Sequence, residues 1–202
     1  GDSYVEAVFE DTQRQWTRGE QVAFLTAHHD PLGPPGEVFV YSDTGYILLG
    51  HMIERATSET LAAAVRRLLR FEALGLDQTW WEQVEQPGAN VAARAHQYLG
   101  EIDTTGFNAS LDLYGGGGLV ASPRDVARFW RALFRGEVFE DAAPLSLMTG
   151  APGQADPDRY RLGLFIESID GQTAYSHSGF WGTYAIYLPE RDIAIAAVVL
   201  NQ

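Results

Sequence analysis

Two short polar clusters in this sequence contain the residue types from which active sites are built. The first is Tyr41-Ser42-Asp43, which lies between the apolar run 38–40 and an apolar, helix-like segment that starts at Gly45. A phenol, a hydroxyl and a carboxylate are costly to bury between apolar elements unless they are hydrogen-bonded. The triplet therefore predicts a pre-organised polar site around Tyr41.

The second polar cluster is His177-Ser178-Gly179-Phe180-Trp181-Gly182, which follows a strand-like segment. Its two glycines allow a ligand to approach the backbone closely. His177 and Ser178 can donate hydrogen bonds to an anionic group. Taken alone, the segment fits a hairpin corner with an exposed histidine equally well.

The basic residues of the chain restrict the proton chemistry of these clusters. No lysine is present, so all 14 of the Lys and Arg residues are arginine. Arginine stays protonated in proteins and cannot exchange protons. If a basic group exchanges a proton with Tyr41, that group is therefore not a lysine of this sequence.

Composition bounds the class of protein. A chain of 202 residues with 46% hydrophobic and 20% charged residues can bury a core in one domain or in two compact lobes. The net charge of −13 argues against binding to nucleic acid or to an anionic membrane surface. No apolar run approaches the roughly 20 residues that cross a bilayer. Without cysteine, the chain has neither disulfides nor thiolate metal ligands.

The periodicity of apolar residues predicts helices first and strands last. The predicted helices cover residues 1–27, 45–56, 59–73 and 122–135. The last helix has a strong start, with Ser122 as N-cap and Pro123 in the first turn, and Gly115 to Gly118 form a tight turn before it. The predicted strands cover residues 160–166, 173–177, 183–188 and 193–201, with Asp170-Gly171 as a hairpin turn.

Three blocks of sequence share an order and a separation that point to one family. They are Pro35-Gly36 through Tyr41-Ser42-Asp43 to Leu48-Leu49-Gly50, then Gly117-Gly118-Leu119 with Ser122-Pro123-Arg124-Asp125, then His177-Ser178-Gly179 with Gly182, Tyr184 and Leu188-Pro189-Glu190. Together they resemble the serine hydrolases related to class C β-lactamases and D-alanyl-D-alanine carboxypeptidases, which are penicillin-binding-protein-like. The resemblance runs from about residue 31 to the end of the sequence.

The resemblance implies an α+β fold of the β-lactamase/transpeptidase type. Residues 1–155 would form a helical lobe that carries the Tyr-Ser-Asp motif. Residues 156–202 would form an antiparallel meander that carries the His-Ser-Gly motif and supplies the last three strands of the sheet. Both parts would belong to one catalytic domain, and no cofactor is implied.

The resemblance also implies catalytic roles for Tyr41, Asp43 and His177. Tyr41 would shuttle the proton of a nucleophilic serine, although a phenol with a pKa of about 10 is a poor base without cationic neighbours. Asp43 stands where relatives often have Asn. An ionised Asp accepts but cannot donate, so Asp43 suits the pairing of a lysine better than the binding of a substrate. Neutral His177 replaces the lysine of the usual Lys-Thr-Gly motif and would hydrogen-bond or polarise a substrate group.

The substrate-binding residues implied by the resemblance are Ser178, Gly179, Phe180 and Trp181. Ser178 would bind a carboxylate or an acyl side chain. The backbone N–H of Phe180 would provide one donor of an oxyanion hole, worth roughly 3 kcal/mol of transition-state stabilisation. Phe180 and Trp181 would line the pocket with apolar surface. The substrate would be a small ester, amide, D-amino-acid peptide or β-lactam.

The family's nucleophile, the serine of a Ser-x-x-Lys motif, has no counterpart in this sequence because there is no lysine. We expect that the chain is a fragment that starts downstream of the nucleophile, and that a missing N-terminal segment or a partner chain completes the sheet. One alternative is a non-catalytic binding or interaction module on the same fold. Another is an unrelated α+β domain, which would place Tyr41 far from His177. Export and oligomeric state do not follow from the sequence.

Overall fold

A computed structural model describes residues 2–150, 152–153, 155–156 and 158–202. The chain starts with two helices, α1 (Asp2–Glu10) and α2 (Arg18–His28), where the sequence predicts continuous helical spacing over residues 1–27. The break follows from a capping box at Thr17. Its side chain accepts from Glu20 N–H while the Glu20 carboxylate accepts from Thr17 N–H at 2.7 Å.

The next two helices follow the Tyr-Ser-Asp motif. Helix α3 (Asp43–Thr57) starts within the motif, and α4 (Leu61–Leu68) follows it closely. The N-cap of α4 is Thr60, which accepts from the Ala63 N–H. Helix α4 is shorter than the predicted helix over 59–73 because it ends at Leu68.

Short strands and two further helices complete the first 150 residues. Strand β1 (Thr79–Trp81) pairs with β4 (Leu119–Ala121), and β2 (Tyr98–Leu99) pairs with β3 (Ile102–Asp103), both antiparallel. Helix α5 (Pro123–Phe134) begins as predicted, because Ser122 Oγ accepts from Asp125 N–H at 3.1 Å. Helix α6 is Ala143–Gly150.

The last part of the chain is one antiparallel meander in the order β5-β6-β7-β8-β9. The strands are β5 (Tyr160–Arg161), β6 (Leu164–Ile169), β7 (Gln172–Ser178), β8 (Thr183–Leu188) and β9 (Ile193–Val198). The α+β class is thus confirmed, and the described meander has five strands because the first of the four predicted strands is divided in two. The predicted strand 160–166 is split because Gly163, with φ of +78°, turns the chain between β5 and β6.

Helix α5 packs on one face of this sheet and joins the helical part to the meander. Trp130 of α5 is buried against Leu164, Ala185 and Tyr187. In the β8–β9 register, Ala185 is paired with Ala196. These small residues let the helix approach the sheet closely. The division at residue 155 into two lobes stays a prediction.

The glycine run 115–118 packs so closely against α3 that there is no room for a side chain at Gly115 or at Gly50. A Cβ on Gly115, where φ is +127°, would lie 2.3 Å from the Tyr46 carbonyl oxygen. A Cβ on Gly50 would lie 2.0 Å from the Tyr114 carbonyl oxygen. Only glycine permits this approach, and the tight, close-packed turn predicted from the sequence therefore fixes the helix that follows Tyr41.

Strand β9 and helix α3 are among the elements that expose apolar side chains. On β9, Ile193 and Ile195 are 43% and 52% exposed, and their partners in the register show that they lie on the face away from α5. On α3, Leu48, Leu49 and Met52 are 48–64% exposed. Within the described residues, no helix has the length and apolar character needed to cross a membrane.

Candidate active site

The two sequence motifs meet in the folded chain. Tyr41 lies in the extended segment just before α3, and His177 is the second-last residue of β7. Their ring centroids are 5.8 Å apart. The alternative of an unrelated domain required these residues to be far apart, so this distance argues against it.

Three further aromatic residues surround this pair. Tyr160 of β5 lies edge-on to Tyr41 at 5.8 Å, and Phe165 of β6 lies 5.1 Å from His177 between ring centroids. Phe39 stacks on Tyr160 at 5.1 Å. Sequence reasoning assigned these residues no part in the site. The signal in the sequence that could have identified Tyr160 and Phe165 was the strand-like segment 160–166. This segment forms the β5–β6 hairpin and carries both aromatic residues.

A chain of hydrogen bonds links α3 to β7 through two tyrosines. The hydroxyls of Tyr46 and Tyr160 are hydrogen-bonded, and Tyr160 Oη lies 3.3 Å from His177 Nε2. His177 Nδ1 lies 2.9 Å from the carbonyl oxygen of Ser178. We call Tyr41, Tyr46, Tyr160 and His177 the tyrosine–histidine cluster. It is the polar centre of the candidate site.

The electrostatics of the cluster favour neutral groups. Tyr41 is still 40% exposed, but partial burial raises its pKa above the usual range, and the Asp43 carboxylate raises it further. The pKa of Tyr160 is raised mainly by burial, and the neighbouring Tyr41 and Asp43 raise it further. Burial lowers the pKa of His177 despite its bond to the Ser178 carbonyl and the nearby Asp43. Without an added cation, Tyr41 is therefore a phenol at neutral pH.

Asp43 is exposed at the first position of α3, beside the glycine run. A Cβ on Gly116 would lie 3.6 Å from the Cβ of Asp43. Beneath this turn is Asp112, whose pKa is raised mainly by burial and also by Asp43. Asp112 was not found from the sequence, where it is an isolated acid in a polar stretch. Two carboxylates therefore face the region next to Tyr41.

The residues after His177 form the exposed rim of the site. Gly179 N–H donates to the Thr183 carbonyl at 2.7 Å, and Gly182 N–H donates to the Gly179 carbonyl at 3.0 Å, which makes a tight turn between β7 and β8. Ser178 and Phe180 are exposed, Phe180 by 57%. Among the described residues, no backbone acceptor pairs with the Phe180 N–H.

Trp181 is held by polar contacts on both sides. Its indole N–H donates to the Asp112 carboxylate, and Gln97 Nε2 donates to its carbonyl at 2.7 Å. Its ring meets Phe180 edge-on at 4.9 Å. Trp181 therefore positions the rim in addition to offering apolar surface. In the part of the chain that the structure describes, no group of three or more His, Asp or Glu side chains is placed to hold a metal ion.

Comparison with known proteins points to one family. A family model described as Beta-lactamase matches residues 4–201. The fold is similar to that of a D-amino acid amidase from Ochrobactrum anthropi SV3 (24% identity, TM-score 0.75), with 94% of this chain and 57% of the amidase covered. It is similar to a D-stereospecific amidohydrolase from Streptomyces sp. (25%, 0.78), with 96% and 59% covered. A penicillin-binding protein from Bacillus halodurans also has this fold (22%, 0.71), with 98% and 64% covered. The chain thus spans less than two thirds of the length of each of these proteins.

Proposed function

Because this chain belongs to the Beta-lactamase family of hydrolases, we propose that it contributes one side of a serine hydrolase site that works through an acyl-enzyme. The observation that carries the proposal is the meeting of Tyr41 and His177, from motifs more than a hundred residues apart, within 5.8 Å. In an acyl-enzyme mechanism a serine oxygen attacks the substrate carbonyl, the tetrahedral intermediate expels the leaving group, and water then releases the acyl group. Tyr41 would accept the serine proton and return it to the leaving group.

The charges around Tyr41 support the need for an external cation. Burial, Asp43 and Asp112 all raise the pKa of this phenol, so it cannot act as a base unless a positive charge enters the site. The lysine of a Ser-x-x-Lys motif would supply that charge. Asp43, exposed at the start of α3, would pair with the lysine. His177, Ser178, Gly179, Phe180 and Trp181 would contact the substrate from the opposite side.

We propose a small amide or ester as the substrate. Two proteins of similar fold are a D-amino acid amidase and a D-stereospecific amidohydrolase. The neutral His177 places no positive charge against an α-ammonium group, and the exposed Phe180 suits an apolar side chain. D-amino-acid amides are therefore the first substrates to test, followed by simple esters and β-lactams.

The exposed apolar surfaces support a partner segment for this site. Leu48, Leu49 and Met52 lie on α3 directly after the Tyr-Ser-Asp motif, and Ile193 and Ile195 lie along β9. Exposed apolar patches of this kind mark interaction surfaces. We propose that a segment carrying the Ser-x-x-Lys motif covers α3 and that added strands pair with β9.

The test starts with the coding sequence upstream of Gly1, where a Ser-x-x-Lys motif is expected. The protein that includes it should hydrolyse D-phenylalanine amide or 4-nitrophenyl butyrate. Tyr41→Phe should lower kcat by about 100-fold or more, since proton transfer by a positioned group contributes roughly 10² to 10⁴. Tyr98→Phe, a tyrosine of β2 outside the cluster, is the matched control and should keep full activity.

Two results would point to the non-catalytic module instead. One is an upstream motif in which the serine or the lysine is replaced. The other is a complete Ser-x-x-Lys protein whose activity is the same with Tyr41→Phe as with Tyr98→Phe. The protein would then be expected to bind a substrate analogue without turning it over.

A further inference from the structure

The orientation of the hydrogen bonds in the tyrosine–histidine cluster follows from a single fixed acceptor. The Ser178 carbonyl oxygen can only accept, and His177 Nδ1 lies 2.9 Å from it. Nδ1 must therefore carry the proton. In a neutral imidazole Nε2 is then an acceptor, so the bond at 3.3 Å is donated by the Tyr160 hydroxyl.

The same reasoning orients the next tyrosine. Since the Tyr160 proton is directed at His177, the Tyr160 oxygen accepts from the Tyr46 hydroxyl, to which it is bonded. The protons thus all run one way, from Tyr46 of α3 through Tyr160 of β5 to His177 of β7. Tyr160 is 5% exposed and is packed against Phe39 and Phe165, so water does not readily replace it.

We propose that Tyr160, oriented by Tyr46, is a positioning residue that holds His177 as a neutral imidazole with its proton on Nδ1. This proposal rests on the proposed function, in which His177 faces the substrate. It adds that the histidine is fixed by a residue that belongs to neither sequence motif and lies 17 positions before His177. It also explains how the site presents an uncharged ring where many relatives carry the lysine of Lys-Thr-Gly.

The charged and titratable groups near His177 agree with this arrangement. They are Tyr160 from β5, Tyr41 from the segment before α3, and Asp43 from the start of α3. Asp43 favours the imidazolium, whereas burial and a hydroxyl donated to Nε2 favour the neutral ring. Protonation of Nε2 would also require the Tyr160 and Tyr46 hydroxyls to reverse. Burial is the larger influence, and the pKa of His177 lies below its usual range.

The experiment is nitrogen-15 NMR of the 202-residue chain, with the His177 signals assigned by comparison with His177→Gln. We expect a protonated Nδ1 and an unprotonated Nε2 at neutral pH. In Tyr160→Phe only the Ser178 carbonyl still favours a proton on Nδ1, so part of the population should shift to the Nε2 tautomer. The His177 pKa should rise while staying below the ordinary value of about 6.5, because burial persists. Tyr46→Phe should shift both quantities in the same direction by less. Tyr98→Phe is the control and should shift neither.

Three outcomes would overturn the proposal. One is a wild-type ring protonated on Nε2, and another is an unchanged tautomer and pKa in a folded Tyr160→Phe. If Tyr160→Phe does not fold, unaltered His177 signals in Tyr46→Phe would also overturn the proposal. None of these measurements needs turnover. An inactive full-length enzyme would therefore count against the proposed function while the His177 tautomer is still decided separately.

Discussion

Replacing Trp181 by Phe should destabilise the protein mainly through Asp112. The indole N–H is a donor to this buried carboxylate. Phe keeps most of the ring packing on Phe180 but removes the donor, so a buried charge loses a partner. A hydrogen bond to a charged group contributes about 1.5–3 kcal/mol, and we expect a loss of about 2–3 kcal/mol at pH 7. For a chain of this size that corresponds to a fall in Tm of roughly 4–12 °C.

The assay is urea unfolding of four proteins that form a double-mutant cycle: the wild type, Trp181→Phe, Asp112→Asn and the double variant. Asn keeps an acceptor oxygen without the charge, so in that background Trp181→Phe should cost only about 1 kcal/mol. The coupling free energy should therefore be about 1–2 kcal/mol. Trp80→Phe in β1 serves as the control for loss of an indole. Equal costs in the two backgrounds, within about 0.5 kcal/mol, would refute this reasoning.

The pH dependence of the same variant has a defined sign. Burial raises the pKa of Asp112 above its unfolded value, and removal of the indole donor raises it further. A carboxyl with a raised pKa favours the folded state more as pH falls through that pKa. The cost of Trp181→Phe should therefore shrink between pH 7 and a pH just above 4, the range above the usual Asp value of about 3.9. A cost that grows on acidification contradicts the assigned charge.

Three other predictions concern separate parts of the molecule. Gly182→Ala should lower the free energy of unfolding in urea by more than about 2 kcal/mol, because a Cβ would lie 2.1 Å from the Val199 carbonyl oxygen. Gly163 has a similar φ but open space around it, so Gly163→Ala is the control and should cost about 1 kcal/mol. Equal costs for the two variants would contradict the clash. The Asp103 carboxyl should titrate at about 2 by carbon-13 NMR, and Thr105→Val, which removes the side-chain bond that lowers this pKa most, should raise it. An Asp103 pKa near 4 in the native chain would show that those bonds are absent. A fluorophosphonate probe should label no residue of the 202-residue chain, since it has no Ser-x-x-Lys motif; stoichiometric labelling at a mapped residue would overturn that expectation.

Several elements could be read directly from local sequence. Ser122 and Pro123 start α5 because a side-chain acceptor and a fixed φ satisfy the first turn of a helix without help from elsewhere. Asp170-Gly171 joins β6 to β7 because both residues take positive φ, as a two-residue hairpin turn requires. By contrast, the break at Gly163 depends on the pairing of β5 with β6, and apolar periodicity does not reveal it.

The candidate site divides in the same way. Tyr41, Asp43 and His177 could be predicted as site residues because each stands in a polar cluster next to an apolar segment, and that contrast is visible in the linear sequence. Tyr46 and Tyr160 were missed because an aromatic residue on a helix or a strand is ordinarily a core residue. Their role depends on hydroxyl contacts between elements that are 114 positions apart.

The sequence by itself determined the family, the α+β class, the two motifs and the lack of lysine within these 202 residues, because each of these is carried by residue type and order. Only the tertiary structure decided which neighbours set the charge state of the site. The tautomer of His177 depends on Tyr160 and the Ser178 carbonyl, and the phenol form of Tyr41 depends on burial next to Asp43. Desolvation and hydrogen-bond direction act over a few ångströms in space, so they arise only after helix α3 and strands β5 and β7 have packed together.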